Sequence, residues 1–156
     1  MADTEPKVGK DESVRLRGRA GRVAAKTSYR QTSSRGLTSG FVTAFMDKGG
    51  IVDVDRVATA FRMTKGQLAE TTGLGSATIS KTARKASPRT QTRVTEMLEI
   101  ISRVREWAGG EAQAMAWYRS QPIPALDART SEALVKSGQA GAVRDYLDHM
   151  ALGGFA

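Results

Sequence analysis

No cysteine occurs anywhere in the 156 residues, and His149 is the single histidine. Disulfide frameworks and thiol nucleophiles are therefore excluded, a His-rich zinc site cannot be assembled, and stability must come from packing. No run of about 18 apolar residues is present, so no membrane-spanning helix is expected. The opening Met1-Ala2-Asp3-Thr4-Glu5-Pro6 lacks the apolar stretch of a secretory signal, and a soluble, cytoplasmic protein with no membrane partner is expected. No strand-like alternation and no internal repeat can be found, which leaves an all-α fold.

Catalytic patterns are missing too. His149 stands alone beside Asp145 and Asp148, and an Asp145–His149 pair four residues apart reads as a surface contact on a helix rather than a dyad. Gly73-Leu74-Gly75 has neither the preceding strand nor the following lysine of a phosphate-binding loop. No catalytic residue, cofactor or metal ligand is expected, and the chain does not read as an enzyme.

What the chain has is positive charge. There are 24 Lys and Arg against 16 Asp and Glu, for a net charge of +8 and an isoelectric point near 10.2. Such a balance suits a polyanionic partner, nucleic acid first and an anionic membrane second. Residues 1–40 carry nine bases and four acids, residues 41–93 repeat that balance, and residues 94–156 carry six bases and eight acids. All of the excess lies N-terminal of Val94, so the last third is not built to meet phosphate.

Residues 1–36 are rich in Arg, Ser, Thr and Gly without a sustained apolar period, and read as a disordered basic tail. Two roles fit it, a phosphate-binding arm or a solubilising leader. From Thr38 a helical period places Phe41, Val42, Phe45 and Met46 on one face as far as Gly49-Gly50. A second helix is predicted over Asp53 to Arg62, capped by Asp53 and burying Val54, Val57, Ala58 and Phe61. Pro88 opens a long helix to about Trp107, with Val94, Met97, Leu98, Ile101 and Val104 as its stripe and Gly109-Gly110 as its end. Further helices are predicted over about Glu111 to Ser120, from the cap Thr130 to Ser137, and from Gln139 to Met150, with Pro122-Ile123-Pro124 as an extended connection. The spacing divides the chain at residues 36 and 108: tail, helical domain 37–108, and a second helical unit 109–156.

The stretch Thr64 to Lys85 has the parts of a helix-turn-helix. Thr64 and Gln67 can form a capping box, Leu68 and Leu74 can anchor the core, Ala69 is a small contact residue and Gly73 a turn. Ser76 can cap a second helix that Ile79 packs inward. The period then turns Ala77, Thr78, Ser80, Lys81 and Arg84 outward, within reach of a DNA major groove, with Lys65, Gln67, Ser76, Lys85 and Arg89 as flanking contacts. Lys81, Arg84, Lys85, Arg89 and Arg93 occur with no acid between Ser76 and Thr95. The plainer alternative is a short helical hairpin with a solvated basic face. The block from about Val54 to Leu98 resembles Xre-type, phage-repressor-like DNA-binding domains, and the resemblance implies a homodimer on double-stranded operator DNA.

The C-terminal third runs Ala116-Trp117-Tyr118-Arg119-Ser120-Gln121-Pro122-Ile123-Pro124-Ala125-Leu126-Asp127-Ala128-Arg129-Thr130-Ser131-Glu132-Ala133-Leu134, then Ser137-Gly138, Val143, Leu147 and a Gly-rich end. Trp117 and Leu126 could clamp the proline turn between them. The order is similar to that of the toxin-binding domain of Xre, MbcA and ParS antitoxins of type II toxin-antitoxin systems. It departs where that family has Gly-Gly and Thr-Pro and this chain has Asp127-Ala128 and Thr130-Ser131. The resemblance implies a cognate toxin, usually a RES-domain protein similar to ADP-ribosyltransferases and acting on NAD. It assigns toxin contact to Trp117, Tyr118, Arg129, His149, Leu152, Gly153, Gly154, Phe155 and Ala156, with the terminal run entering the toxin's cleft. Trp117, Leu126, Leu134 and Leu147 read as scaffold ahead of contact. A stand-alone repressor that uses its last third only to dimerise is the alternative function.

Overall fold

The computed structural model describes residues 40–153, so the expected tail over residues 1–36 and the terminal Gly154, Phe155 and Ala156 lie outside the described residues. The architecture is helical, as the periodicity implies. Residues 40–43 form α1, and Phe41, Val42 and Phe45 are buried. This helix stops well before Gly49-Gly50, because the Asp47 carboxylate accepts the Gly49 and Ile51 N–H groups at 2.8 and 3.0 Å and turns the chain back. Met46 then bridges Val52 in antiparallel fashion.

Asp53 caps α2 (Val54–Ala60), accepting the N–H groups of Asp55 and Arg56 at 3.0 and 3.1 Å. Such a cap contributes about 1 kcal/mol. The capping box on α3 (Lys65–Thr72) closes in both directions, Gln67 N–H to the Thr64 hydroxyl at 3.1 Å and Thr64 N–H to the Gln67 amide oxygen at 2.8 Å. Gly73 ends α3 in the left-handed region, and α4 (Ser76–Ser80) and α5 (Thr82–Lys85) follow.

The long helix α6 (Pro88–Ala108) is the post of the fold. Ser87 caps it, Pro88 fills its first turn where a missing N–H costs nothing, and Gly109 ends it at φ 94°. Val94, Met97, Leu98, Ile101 and Val104 are fully buried as the stripe requires, and Ile100 is buried with them. The stripe is wider than that of a surface helix because α6 packs against α3, α5, α7, α8 and α9.

Beyond it, α7 (Glu111–Ser120) leads into a two-stranded hairpin of β1 (Pro122–Ile123) and β2 (Arg129–Thr130), with Pro122 opposite Thr130 and Ile123 opposite Arg129. A 3-10 turn, Pro124–Leu126, lies between the strands. The alternation rule misses strands this short. Asp127 and Ala128, where the resembled family has Gly-Gly, take φ values of 56° and 53°. Thr130 caps α8 (Ser131–Lys136), and α9 (Ala140–Ala151) closes the described chain.

One buried cluster runs from Phe41 through α6 to Leu147. The Tyr118 hydroxyl on α7 donates to the Thr71 carbonyl of α3 at 3.3 Å, and the Arg93 guanidinium on α6 bonds the Val135 carbonyl of α8. At Gly73 a Cβ would meet Lys136 Cγ at 3.0 Å, Cα at 3.1 Å and Cβ at 3.2 Å. Two opposite substitutions follow from this backbone. Gly73→Ala meets both a left-handed φ and the backbone of α8, and is expected to cost about 2 to 4 kcal/mol. Ala128→Gly relieves left-handed strain and is expected to gain up to about 1 kcal/mol. Urea midpoints at constant m-value measure both.

Candidate functional site

Two surfaces carry the residues that the sequence singles out, and α6 packs against elements of both. On the first, α3 and α4 pack against each other around Leu68, Ala69, Leu74 and Ile79, all buried as expected. Gly73 turns the chain between them at φ 69°. Ser76 does not cap α4. Gly75 stands in the cap position without a side-chain bond, and Ser76 is the first helical residue, its carbonyl accepting the Ser80 hydroxyl at 2.9 Å.

The outward face is also less continuous than the period implies. Lys81 leaves the helix, with φ −91° and ψ 124°, so Arg84 and Lys85 belong to the separate α5. Tertiary contacts cause the break. The Lys85 ammonium bonds Asp55 of α2 at 2.6 Å, and the Gln91 amide of α6 donates to the Lys85 carbonyl at 2.8 Å while pairing with both backbone groups of Val52. These bonds swing α5 toward α2 and α6. Lys65 reaches Asp55 as well, at 2.8 Å. The hydrogen bonds from Lys65 and then Lys85 hold the Asp55 carboxyl below its ordinary pKa, and Asp55 raises that of Lys65.

Each expected DNA contact therefore has a definite state. Lys65 and Lys85 are engaged by Asp55, and Gln67 spends its amide oxygen on the capping box. Thr78 is half-buried, while Ser76, Ala77 and Ser80 are exposed. Lys81, Arg84 and Arg89 are exposed, and among the described residues none of them makes an ion pair. Arg93 is drawn inward by Glu96, at 3.3 Å, and by Val135.

The second surface is the C-terminal unit. Tyr118 is fully buried, and burial pushes its hydroxyl far above its ordinary pKa, so it is a neutral donor in the core and not an exposed contact. Trp117, its neighbour on α7, is half-buried and meets Trp107 edge to face, with ring centroids 5.5 Å apart and an interplanar angle of 86°. Arg129 is occupied, donating to the Ser137 hydroxyl at 2.7 Å, the Ala133 carbonyl at 3.2 Å and the Gln139 amide oxygen. It ties β2 to the end of α8. His149, Leu152 and Gly153 are exposed at the end of α9. The other three expected contacts, Gly154, Phe155 and Ala156, are outside the described residues.

Two residues escaped the sequence reading. Gln91 looks like any exposed polar position on α6 until the fold brings Val52 and Lys85 to it. Trp107 reads only as the approximate end of the long helix, and it is 53% exposed. Its place two residues before Gly109, where a helix runs out of partners, was the available signal.

Among the described residues no group of three or more Asp, Glu or His side chains could hold a metal ion, and no helix is long and apolar enough to cross a membrane. Residues 103–153 match the family model of the antitoxin Xre/MbcA/ParS C-terminal toxin-binding domain. The match takes in the last turns of α6, all of α7 and α8, the hairpin between them, and α9. No curated protein and no solved structure matches the chain. The matched domain is a toxin-binding, regulatory one and not a catalytic one. Residues 103–153 are accordingly an Xre/MbcA/ParS-type toxin-binding domain, and the match supports an antitoxin role for the chain.

Proposed function

We propose that this antitoxin neutralises a cognate RES-domain toxin by occluding its NAD-binding cleft with the C-terminal end of the chain, and that it represses its own operon by binding DNA as a homodimer in the cytoplasm. The observation that carries the first half is the family match at residues 103–153, joined to the exposure of His149, Leu152 and Gly153 where α9 ends. A terminus that leaves an anchored helix can enter a cleft without disturbing the domain behind it. Residues 109–156 act as the toxin-binding unit and residues 37–108 as the DNA-binding unit.

The second half is supported by the α3–Gly73–α4 geometry and by Lys81, Arg84 and Arg89 standing free of ion pairs among the described residues. Phosphate neutralisation by such cations drives association and makes it salt-dependent. Ser76, Ala77 and Ser80 are exposed on the same short helix and supply the base-reading contacts.

The first experiment co-expresses the chain with the product of the adjoining gene. Growth rescue and co-purification are expected, and a chain ending at Met150 should bind that product with clearly lower affinity; full-strength neutralisation by the shortened chain would contradict cleft occlusion. On DNA, Lys81→Ala and Arg84→Ala are each expected to weaken binding to the upstream operon fragment by about 1 to 3 kcal/mol at fixed salt, with unchanged thermal melting. Asp55→Asn should act oppositely. By releasing Lys65 and Lys85 it is expected to steepen the slope of log affinity against log salt by about 1 to 2. Fluorescence anisotropy across a salt series reads both effects.

A further inference from the structure

The described residues include four exposed large apolar side chains, Ile51, Trp107, Met150 and Leu152. Three of the four fall inside the toxin-binding domain. Two ion pairs fix how these three are gathered. Glu99 of α6 meets Arg144 of α9 at 2.6 Å, and Arg103 meets Asp148 at 3.0 Å, so a step of four residues along one helix matches a step of four along the other in the same direction. The helices run parallel. One turn beyond Arg103 and Asp148 stand Trp107 and Leu152, at the same end of the fold.

The buried stripes of both helices also run on past the core at that end. Ile100 and Val104 are fully buried, and Trp107 continues their line at i+7 and i+3 with 53% of its surface exposed. Val143 and Leu147 are buried in the same way, and Met150 continues their line with 39% exposed, followed by Leu152 at 63%. Trp117 backs Trp107 edge to face, which holds the indole in place on the surface. A pre-oriented tryptophan loses little freedom on association and is a common centre of binding energy.

We infer that Trp107, seated on Trp117 at the end of the fold that also exposes Met150 and Leu152, is an apolar anchor for the toxin's surface. The occupant is the toxin and not a second copy of the chain, because the patch lies within the matched toxin-binding domain, at the end of the fold where α9 stops. The anchor rests on the antitoxin function proposed above. It adds a second, independent contact: the terminus fills the cleft, and the indole grips the cleft's apolar rim.

Trp107 and Trp117 are the chain's two tryptophans, so the full-length protein labelled with 5-fluorotryptophan gives two fluorine resonances, assigned with Trp107→Phe. The probe is the purified product of the adjoining gene. For the chain alone, the Trp107 resonance should show a large shift between H2O and D2O, independent of concentration, and addition of the probe should abolish it. Trp107→Ala is expected to weaken binding of the probe roughly 30-fold or more, with melting unchanged and Trp107→Phe losing much less. A Trp107 resonance still open to solvent in the complex, or wild-type affinity in Trp107→Ala, would overturn the anchor while leaving the antitoxin function standing. Protection that grows with concentration of the chain alone would assign the patch to a second copy and overturn it as well. Absence of any binding by the wild-type chain would instead remove the function on which the anchor rests, and the anchor with it.

Discussion

The fold depends on a single helix being buried on more than one side. α6 packs against α3, α5, α7, α8 and α9, so the basic half of the molecule and the toxin-binding half are built on one apolar post. Six of its side chains, Val94, Met97, Leu98, Ile100, Ile101 and Val104, are wholly removed from water. At roughly 1.5 to 3 kcal/mol for each fully buried apolar side chain, this one helix accounts for a large share of the burial that holds the fold together. No disulfide reinforces the core, since the chain has no cysteine.

Because the two halves share that post, they also touch. The Tyr118 hydroxyl meets the backbone of α3, Arg93 meets the backbone of α8, and Gly73 leaves room for Lys136 where any side chain would collide. The turn between α3 and α4 is thus shaped twice, by its left-handed φ and by the helix lying across it. Electrostatics divides the labour. Asp55 quenches two of the lysines on the basic side, and the pairs Glu99–Arg144 and Arg103–Asp148 set α9 parallel to α6. Partly exposed pairs of this kind contribute little stability, about 1 kcal/mol, so their value is in register and orientation.

The parts legible in the sequence are those governed by local chemistry. Asp53, the Thr64–Gln67 box, Pro88, Gly109 and Thr130 each bound a helix as their side chains or backbone freedom require, and the stripe of α6 follows from its period. The parts that were not legible are decided by groups distant in sequence. Nothing between Ser76 and Lys85 announces the break at Lys81, which depends on Asp55 and Gln91. Trp117 and Tyr118 are adjacent and both amphipathic, and only the position of α3 decides that the tyrosine goes inside. Arg129 likewise seemed free until the end of α8 was placed against it. The order of features in the last third, by contrast, led to the same family that the match at residues 103–153 supports.

The central claim is that the C-terminal domain silences a toxin, and, with the RES-type partner proposed above, NAD consumption by the purified product of the adjoining gene tests it most directly. Titrating in the full-length chain should abolish that consumption at a fixed stoichiometric ratio. An undiminished rate in the presence of excess, folded chain would contradict it.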